Sequence, residues 1–286
     1  MLALLLLLQG VPSVYTGNAK PNPDTAIFQG RDKSRDRAHD RRTHPTAPAA
    51  NRLQACLDQA HNDAEATAIV AQAWLKQTKG SAQAEPYLCL GSAQALQDDW
   101  AEAEASFAAG RDIAAASDHE MKARLGAMVG NAALAQDAPD RALAALEPAR
   151  AEAGKAEQAQ LSADIALDQA RALVALHRER EASSLLAEAR VGKPDDAQVW
   201  LLSAVLSRRL GKLAEAQGQI EKAAELKPID PDIGLEAGVI AMLAGHPDAA
   251  RKSWQSVITA GPESASAATA KGYLAQLDPP PADKPH

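Results

Sequence analysis

Three prolines, Pro194, Pro228 and Pro262, recur at equal intervals of about 34 residues, and each closes a segment built like the one before it. A period of this length is typical of a helical hairpin that cannot bury its apolar face alone. Neighbouring hairpins must then stack to form a common core. The period therefore predicts a repeat protein in which each unit contacts its neighbours along the chain.

Two further series of residues share this period: Ala182, Ala216 and Ala250, and Leu186, Ile220 and Trp254. In the clearest unit, 197–230, Asp195 and Asp196 are both suited to cap a helix over 197–210, and Gly211 is suited to end it. A second helix is predicted over 213–226, before Pro228. The abundance of Ala, Leu, Gln and Glu and the low aromatic content (3%) favour helices over sheets.

This pattern resembles the tetratricopeptide-repeat (TPR) family, whose signature runs W-x2-L-G-x2-Y, then A-x3-F, then P. The matching residues are Trp200, Ala216, Ile220 and Pro228 in one unit, Tyr87, Leu90, Gly91, Ala103 and Phe107 upstream, Gly130, Ala142, Leu146 and Ala149 in a weaker unit, and Gly238 near the C-terminus. Some positions depart from the signature: Ala204 replaces the glycine, Ser207 the tyrosine and Ala115 the proline.

The resemblance implies an all-α, right-handed TPR-like superhelical solenoid of antiparallel helix hairpins. We predict a cap at 51–83, repeats at about 84–117, 123–156, 163–196, 197–230 and 231–264, and an end helix at 264–277. The spacing stretches in the middle, because the steps from Ala103 to Ala142 and from Ala142 to Ala182 are longer than the later steps of the alanine series. The extra residues are expected to lengthen a helix or a loop near 113–122 and 151–162.

The predicted cap carries two apolar stripes at helical spacing. The first comprises Leu53, Cys56, Leu57 and Ala60, and the second comprises Ala66, Ile69, Val70, Ala73 and Trp74. A terminal repeat needs one polar face to remain soluble. The cap is therefore expected to close one end of the repeat array.

The chain begins with an apolar run from Met1 to Leu8. It is shorter than the ~20 residues of a membrane-spanning helix and fits the core of a signal peptide. We predict a signal peptide at 1–19, although no Lys or Arg precedes the run, and a misassigned start codon is the alternative. No cysteine follows directly, so a lipoprotein attachment site is not expected. An exported protein, periplasmic in a Gram-negative source, is expected.

Residues 20–50 are predicted to form a disordered linker and 278–286 a disordered tail, because prolines and mixed charge leave little apolar surface to bury. The charge run at 31–42 holds six basic and three acidic residues. We interpret this run as a solvated linker. The alternative is that it binds an anionic surface or a nucleic acid. The whole chain has a net charge of −7, which argues against a nucleic-acid partner.

The two cysteines, Cys56 and Cys89, are separated by one position less than a full repeat. They would occupy similar places on successive first helices, whose axes pack about 8–10 Å apart. Facing Cα atoms can then fall within the ~4.4–6.8 Å that a disulfide needs. A Cys56–Cys89 disulfide is predicted if the protein is exported, and two buried thiols are the alternative.

Motifs that carry chemistry are missing from the sequence. It contains no H-E-x-x-H or C-x-x-C spacing, no phosphate loop and no nucleophile elbow. His177 and His246 are predicted at turns between paired helices. We therefore predict no catalytic residue, no cofactor and no metal site.

In the resembled family, the first helix of each hairpin lines a concave groove that accepts a peptide or a partner helix. The groove candidates, expected on the exposed side of those helices, are Arg124, Asn131, Arg171, Leu201, Val205, Arg208, Leu235 and Val239. Arg171 and Arg208 are candidates to receive acidic or C-terminal carboxylate groups, with simple solubilisation of the face as the alternative. The lysine–asparagine clamp of chaperone-binding members is not reproduced, since Asn131 has no lysine in the required place.

The predicted function is that of a non-enzymatic protein–protein interaction scaffold in the cell envelope, with a protein or peptide as partner. One alternative is an accessory or assembly factor for an envelope complex, such as the repeat domains of cytochrome c maturation. Another is an enzyme whose site is hidden in the groove. Neither a nucleic-acid partner nor a membrane span after signal cleavage is expected.

Overall fold

The computed structural model of the protein describes residues 50–277. These residues form thirteen α-helices and one 3₁₀ helix and contain no strand, which confirms the predicted all-α class. The predicted signal peptide, almost all of the linker and the C-terminal tail lie outside the described residues. The described chain divides after His177 into two compact units.

The N-terminal unit holds seven of the α-helices, each packed on the next helix along the chain. They are α1 (Ala50–Ala60), α2 (Ala64–Gln77), α3 (Ala84–Leu96), α4 (Trp100–Ile113), α5 (His119–Ala135), α6 (Pro139–Lys155) and α7 (Ala159–Ala175), with the 3₁₀ helix Gly80–Gln83 between α2 and α3. The first helices of successive hairpins, α3, α5 and α7, also contact one another in sequence order.

The C-terminal unit begins at Arg178 and holds the other six helices. They are α8 (Glu179–Gly192), α9 (Ala197–Arg209), α10 (Leu213–Leu226), α11 (Pro231–Leu243), α12 (Pro247–Ala260) and α13 (Ala265–Leu277). The helices predicted at 197–210, 213–226 and 264–277 are thus observed within one residue at each end.

Aspartates begin several helices as the sequence predicts. The Asp196 side chain accepts a hydrogen bond from the Gln198 N–H, and Asp230 accepts from Asp232 and Ile233 at the start of α11. These bonds satisfy backbone donors that a helix end leaves unpaired. Pro231 follows Asp230 as the first helical residue, where its missing N–H costs nothing.

From α3 onward, the turn inside each hairpin contains one residue with a left-handed backbone. Positive φ angles occur in these turns at Asp98, Asp137, His177, Gly211 and Gly245. Each of them precedes a member of the alanine series by the same number of positions, the series being Ala103, Ala142, Ala182, Ala216 and Ala250. The turns therefore keep one geometry while the period changes. The predicted turn positions of His177 and His246 are confirmed, since His246 caps α12.

The longer period of the N-terminal unit is absorbed by helices. The helices α5, α6 and α7 each have 17 residues, whereas those of the C-terminal unit have 13 or 14. The turns at 136–138 and 156–158 have three residues each. Of the two predicted possibilities, longer helices take up nearly all of the extra residues. The segment 114–118, between α4 and α5, is one residue longer than its counterparts at 193–196, 227–230 and 261–264.

Signature glycines allow the two helices of a hairpin to pack closely. A Cβ atom added to Gly91 would lie 2.5 Å from the Phe107 ring, and one added to Gly238 would overlap the Trp254 indole. Trp254 also donates a hydrogen bond from Nε1 to the Leu235 carbonyl oxygen at 3.2 Å. A bulky residue on the second helix thus requires glycine on the first.

The first hairpin of the described residues, α1 and α2, is joined to α3 through a small core of Cys56, Ala71, Trp74, Cys89 and Leu90. The structure bonds the Sγ atoms of Cys56 and Cys89, with their Cα atoms 6.1 Å apart. The second apolar stripe of the cap is split, since Trp74 is buried while Ile69 and Val70 are exposed.

Candidate functional site

The predicted groove residues occupy the first helices of the hairpins, but most of them are not exposed. Asn131, Leu201, Val205, Arg208, Leu235 and Val239 are all buried, each at most 7% exposed. Leu201 and Val205 belong to the core around α9 and α10, and Leu235 and Val239 to the core around α11 to α13. The expectation that these six side chains form an exposed surface is wrong.

The reason lies in the composition of the first helices, which are apolar around most of their circumference. In α5 every residue from Leu125 to Ala133 is buried, and in α7 every residue from Ile165 to Ala170 is buried. A helix that is hydrophobic on all sides packs on all sides. The prediction treated these helices as having one buried stripe and one exposed face.

Arg171 remains partly exposed and is held in place by a buried carboxylate. Its Nη1 donates a hydrogen bond to Asp168 Oδ1 at 2.8 Å, within α7. The Asp168 side chain is fully buried, whereas that of Arg171 is 24% exposed. Burying a carboxylate is costly unless a cation compensates it, so Asp168 fixes the position of Arg171.

Arg124 is the other groove candidate that reaches solvent. Its Nε and Nη2 both donate to Glu120 Oε1, at 3.0 and 2.8 Å. Gln158, in the turn before α7, donates to the second oxygen of the same carboxylate at 3.2 Å. Glu120 therefore links the start of α5 to the start of α7 and orients Arg124.

Two buried amide oxygens lie on the same two helices. Asn131 Oδ1 on α5 and Gln169 Oε1 on α7 accept no hydrogen bond in the structure. A buried acceptor without a donor costs about 1–3 kcal/mol. The first helices α5 and α7 therefore combine oriented cations with acceptors that a ligand N–H group would satisfy.

A further charged cluster lies near the beginning of α5 and the end of α6. His119 Nδ1 lies 2.6 Å from Glu152 Oε2, and Lys155 Nζ donates to Glu152 Oε1 at 2.7 Å. The Lys155 hydrogen bond, with help from His119, lowers the pKa of Glu152. Glu85, at the start of α3, shows the opposite shift, because burial and the nearby Asp118 carboxylate raise its pKa.

In the C-terminal unit, Arg208 forms a buried ion pair rather than a groove contact. Its Nε donates to Glu236 Oε1 at 2.5 Å, and its Nη2 donates to Glu236 Oε2 at 3.3 Å. The two side chains are 2% and 9% exposed. Burial raises the pKa of Glu236 and the Arg208 guanidinium opposes that shift. This pair joins α9 to α11.

Tyr273 on α13 completes this cluster. Burial raises the pKa of its phenol, with Arg208 opposing the shift and Glu236 adding to it. The Tyr273 ring packs on Trp254, with the ring centroids 5.1 Å apart. Ser266 at the start of α13 donates a hydrogen bond to Asp232 at the start of α11. The cluster therefore holds α9, α11 and α13 together and leaves Arg208 unavailable to a ligand.

Two buried carboxylates that the sequence prediction missed, Asp168 and Glu236, share one signal. Each is a carboxylate within an otherwise apolar helical run, Ala166-Leu167-Asp168-Gln169-Ala170 and Gly234-Leu235-Glu236-Ala237-Gly238. A charge in such a position is rarely buried without a partner. Both do have an arginine partner in the structure.

Within residues 50–277, no group of three or more His, Cys, Asp or Glu side chains is arranged to hold a metal ion. Over the same range, every helix falls short of the length and apolar character that a membrane span requires.

Comparison with solved structures identifies the fold. YrrB, described as a TPR protein with an unusual peptide-binding site, matches 71% of this chain and 97% of its own, with 18% identity and a TM-score of 0.54. BtubC from P. vanneervenii matches 82% of this chain and 96% of its own, with 15% identity and a TM-score of 0.57.

TTC0263, a thermophilic TPR protein from Thermus thermophilus, matches 67% of this chain and 98% of its own, with 16% identity and a TM-score of 0.53. No protein-family model matches the sequence, and no curated protein matches it. At these identities the likeness concerns the path of the backbone and its helical hairpins.

Proposed function

We propose that this chain, whose fold is that of the tetratricopeptide-repeat proteins, is a non-enzymatic scaffold that binds a protein or peptide. The fold supports this role because TPR proteins of known structure typically act as interaction scaffolds. Among the solved neighbours, YrrB is described as having a peptide-binding site. We place the binding surface on α5 and α7, where Arg124 and Arg171 reach solvent.

The clamp of Arg171 on Asp168 is the observation that carries this assignment. A guanidinium held by a fully buried carboxylate keeps a fixed orientation, so less entropy is lost when it binds a ligand. Arginine in a fixed orientation suits bidentate recognition of a carboxylate, such as an acidic side chain or a C-terminus. The preferred ligand is therefore an acidic peptide segment or a free C-terminus.

Asn131 supports the same surface. Its Oδ1 is buried and lacks a donor, and an extended peptide offers backbone N–H groups. Because Asn131 is only 7% exposed, the side chains around it must move before a ligand reaches it. Binding is therefore expected to include a local rearrangement of α5 and α7 side chains.

The test begins with cross-linking and mass spectrometry in the native organism, which identifies the partner. Binding of the acidic segment of that partner is then measured by calorimetry with wild type and the Arg171→Gln variant. Loss of a charge-assisted hydrogen bond is expected to weaken binding by about tenfold or more. Arg178→Gln is the matched control, because Arg178 forms an exposed ion pair with Glu181 in the other unit. Equal affinity of both variants and wild type would remove the proposed surface.

We also propose that the scaffold acts in the cell envelope, on the strength of the N-terminal apolar run. N-terminal sequencing of the protein from a periplasmic fraction tests this proposal, with cleavage after Ala19 expected. Recovery of uncleaved protein from the cytoplasm would contradict it. The assembly-factor hypothesis uses the same surface and differs in partner, so recovery of cytochrome c maturation proteins as the cross-linked partners would favour it.

A further inference from the structure

The helix α2 has two apolar sides. Thr67, Ala71 and Trp74 are buried against the neighbouring helices. Ile69 is 64% exposed and Val70 is 45% exposed, and both lie on a different side of the same helix. Neighbouring exposed apolar side chains on a folded protein indicate an interaction surface.

The exposed residues form a continuous stripe rather than isolated positions. Ala66, Ile69, Val70 and Ala73 follow the i, i+3, i+4, i+7 spacing of one helix face, and all four are at least partly exposed. A helix of 14 residues is about 21 Å long, so the stripe spans its central two turns. Such a stripe is the pattern by which one helix packs on another.

We propose that this stripe is a homodimer interface, in which α2 packs antiparallel on α2 of a second copy of the chain. A two-fold axis between Ile69 and Val70 brings Ile69 of one copy against Val70 of the other. The same axis brings Ala66 against Ala73, and small residues there allow the helices to approach closely. An interface of this kind is isologous, because both copies use the same surface.

Charge complementarity favours a second copy as the occupant. Glu65 in the first turn of α2 and Lys76 in its last turn are both exposed and flank the stripe on the same side. In the antiparallel pair, Glu65 of one copy comes within about two residues, or about 3 Å along the axis, of Lys76 of the other. Two equivalent ion pairs result, and the helix dipoles also run antiparallel.

The interface is small, so the dimer is expected to be weak. Stable protein interfaces bury about 1,200–2,000 Å², and a single pair of 14-residue helices falls below that range. The dissociation constant of the dimer should therefore lie between about 1 μM and about 1 mM. Sedimentation velocity of the full oxidised chain across this range is the first measurement, and a shift from monomer to dimer is expected.

Substitution of the stripe tests where the interface lies. Ile69→Asp and Val70→Asp should each weaken dimerisation by about tenfold or more, since each removes a buried aliphatic contact. The matched controls are Ile229→Asp and Val191→Asp, which make the same changes at positions 80% and 84% exposed in the other unit. The controls should dimerise like wild type.

Charge exchange tests the antiparallel register with variants that leave the stripe intact. Glu65→Lys alone and Lys76→Glu alone should each dimerise more weakly than wild type, because like charges then meet. A mixture of the two variants should form heterodimers in preference to either homodimer.

Three outcomes would overturn the proposal. They are a monomer at every concentration, a dimer that survives both stripe substitutions, or an equal mixture of homodimers and heterodimers.

Discussion

The two units use the same hairpin turn but differ in how they fill the space between turns. In the N-terminal unit, helices of 17 residues carry a core rich in alanine, and the deepest charge pair, Asp168–Arg171, lies within one helix. In the C-terminal unit, shorter helices carry aromatic residues, and the Arg208–Glu236 pair joins two helices.

The difference shows that the period of a hairpin repeat is set by helix length rather than by its turn. Asp137 in one unit and Gly211 in the other adopt similar left-handed angles, φ 55° and 75°, in turns of equal length. An additional helical turn of three to four residues per helix then preserves the side-chain phase. A repeat can therefore lengthen without losing its buried stripe.

The two charge pairs also differ in what their loss would cost. Arg171 is partly exposed, so removing it lets water reach Asp168. Arg208 is almost fully enclosed, and its removal would strand Glu236 in the core. The pair within one helix therefore keeps a partly exposed cation, whereas the pair between helices serves stability.

The largest expected effect comes from breaking the Arg208–Glu236 pair. Arg208→Met should lower the free energy of unfolding by about 3–5 kcal/mol, because a buried carboxylate loses its cation. The double variant Arg208→Met/Glu236→Leu should recover most of this loss, since apolar residues replace both charges. Urea unfolding followed by circular dichroism measures both. Arg178→Met, in an exposed pair, is the control and should cost less than about 1 kcal/mol.

The same variant has a defined pH dependence. Burial raises the folded-state pKa of Glu236 above its unfolded value, and removal of Arg208 takes away the interaction that opposes this shift. A raised carboxyl pKa gives stability that is present below the unfolded pKa, near 4.5, and is lost as the pH rises through the folded pKa. The free energy of unfolding of Arg208→Met should therefore be closer to that of wild type at pH 4 than at pH 7. A constant difference across that range would contradict this reasoning.

The disulfide distinguishes the end of the N-terminal unit from the end of the C-terminal unit, where α13 is held by packing of Tyr273 on Trp254. If the protein is exported and oxidised, the Cys56→Ser/Cys89→Ser variant should have a free energy of unfolding about 3–4 kcal/mol lower than that of wild type, on a loop-entropy estimate. The loss should appear as early unfolding of α1 and α2 in hydrogen exchange. Non-reducing mass spectrometry of the exported protein is the control, and two free thiols there would contradict the prediction.

The signature glycines sharpen the comparison of packing in the two units. Gly91→Ala and Gly238→Ala should each lower the free energy of unfolding by about 1–3 kcal/mol, because the new methyl group meets Phe107 or Trp254. Gly218→Ala is the matched control, since nothing lies within 4 Å of its added Cβ atom. The free energy of unfolding of this control should rise by about 0.5–1 kcal/mol, because alanine has a higher helix propensity than glycine. Thermal unfolding separates the two results, and equal shifts would show that close packing is not the reason for glycine.

The helices were predictable because their signals are local. Asp196 and Asp230 cap the helices that follow them, and Gly211 takes the positive φ angle that the end of α9 requires. Each of these signals involves residues within one or two turns of the chain. The longer period was also visible, although the sequence left open whether helices or loops absorbed it.

The exposed surface was not predictable in the same way, because burial depends on contacts between distant residues. Arg208 is buried by Glu236, 28 residues away, and this pairing leaves no periodic signal. Ile69 and Val70 share a stripe with the buried Trp74 in sequence, yet they face a side of α2 on which none of the described residues packs closely enough to bury them. The sequence does show that α5 is apolar on all sides. The prediction nevertheless assumed one buried stripe and one exposed face, and this assumption was wrong.

The smallest expected effect concerns the hairpin turns, where the N-terminal unit uses Asp137 and the C-terminal unit uses Gly211. Glycine enters the left-handed region without steric cost, whereas aspartate meets a modest one, and glycine in turn has the more flexible unfolded state. Asp137→Gly should therefore raise the free energy of unfolding, and Gly211→Asp should lower it, each by less than about 1 kcal/mol. Gly211→Val, which adds a β-branched side chain, should cost more than Gly211→Asp. Urea midpoints for the three variants measure the order, and an equal cost for Asp and Val at position 211 would show that the turn relaxes rather than holding its left-handed geometry.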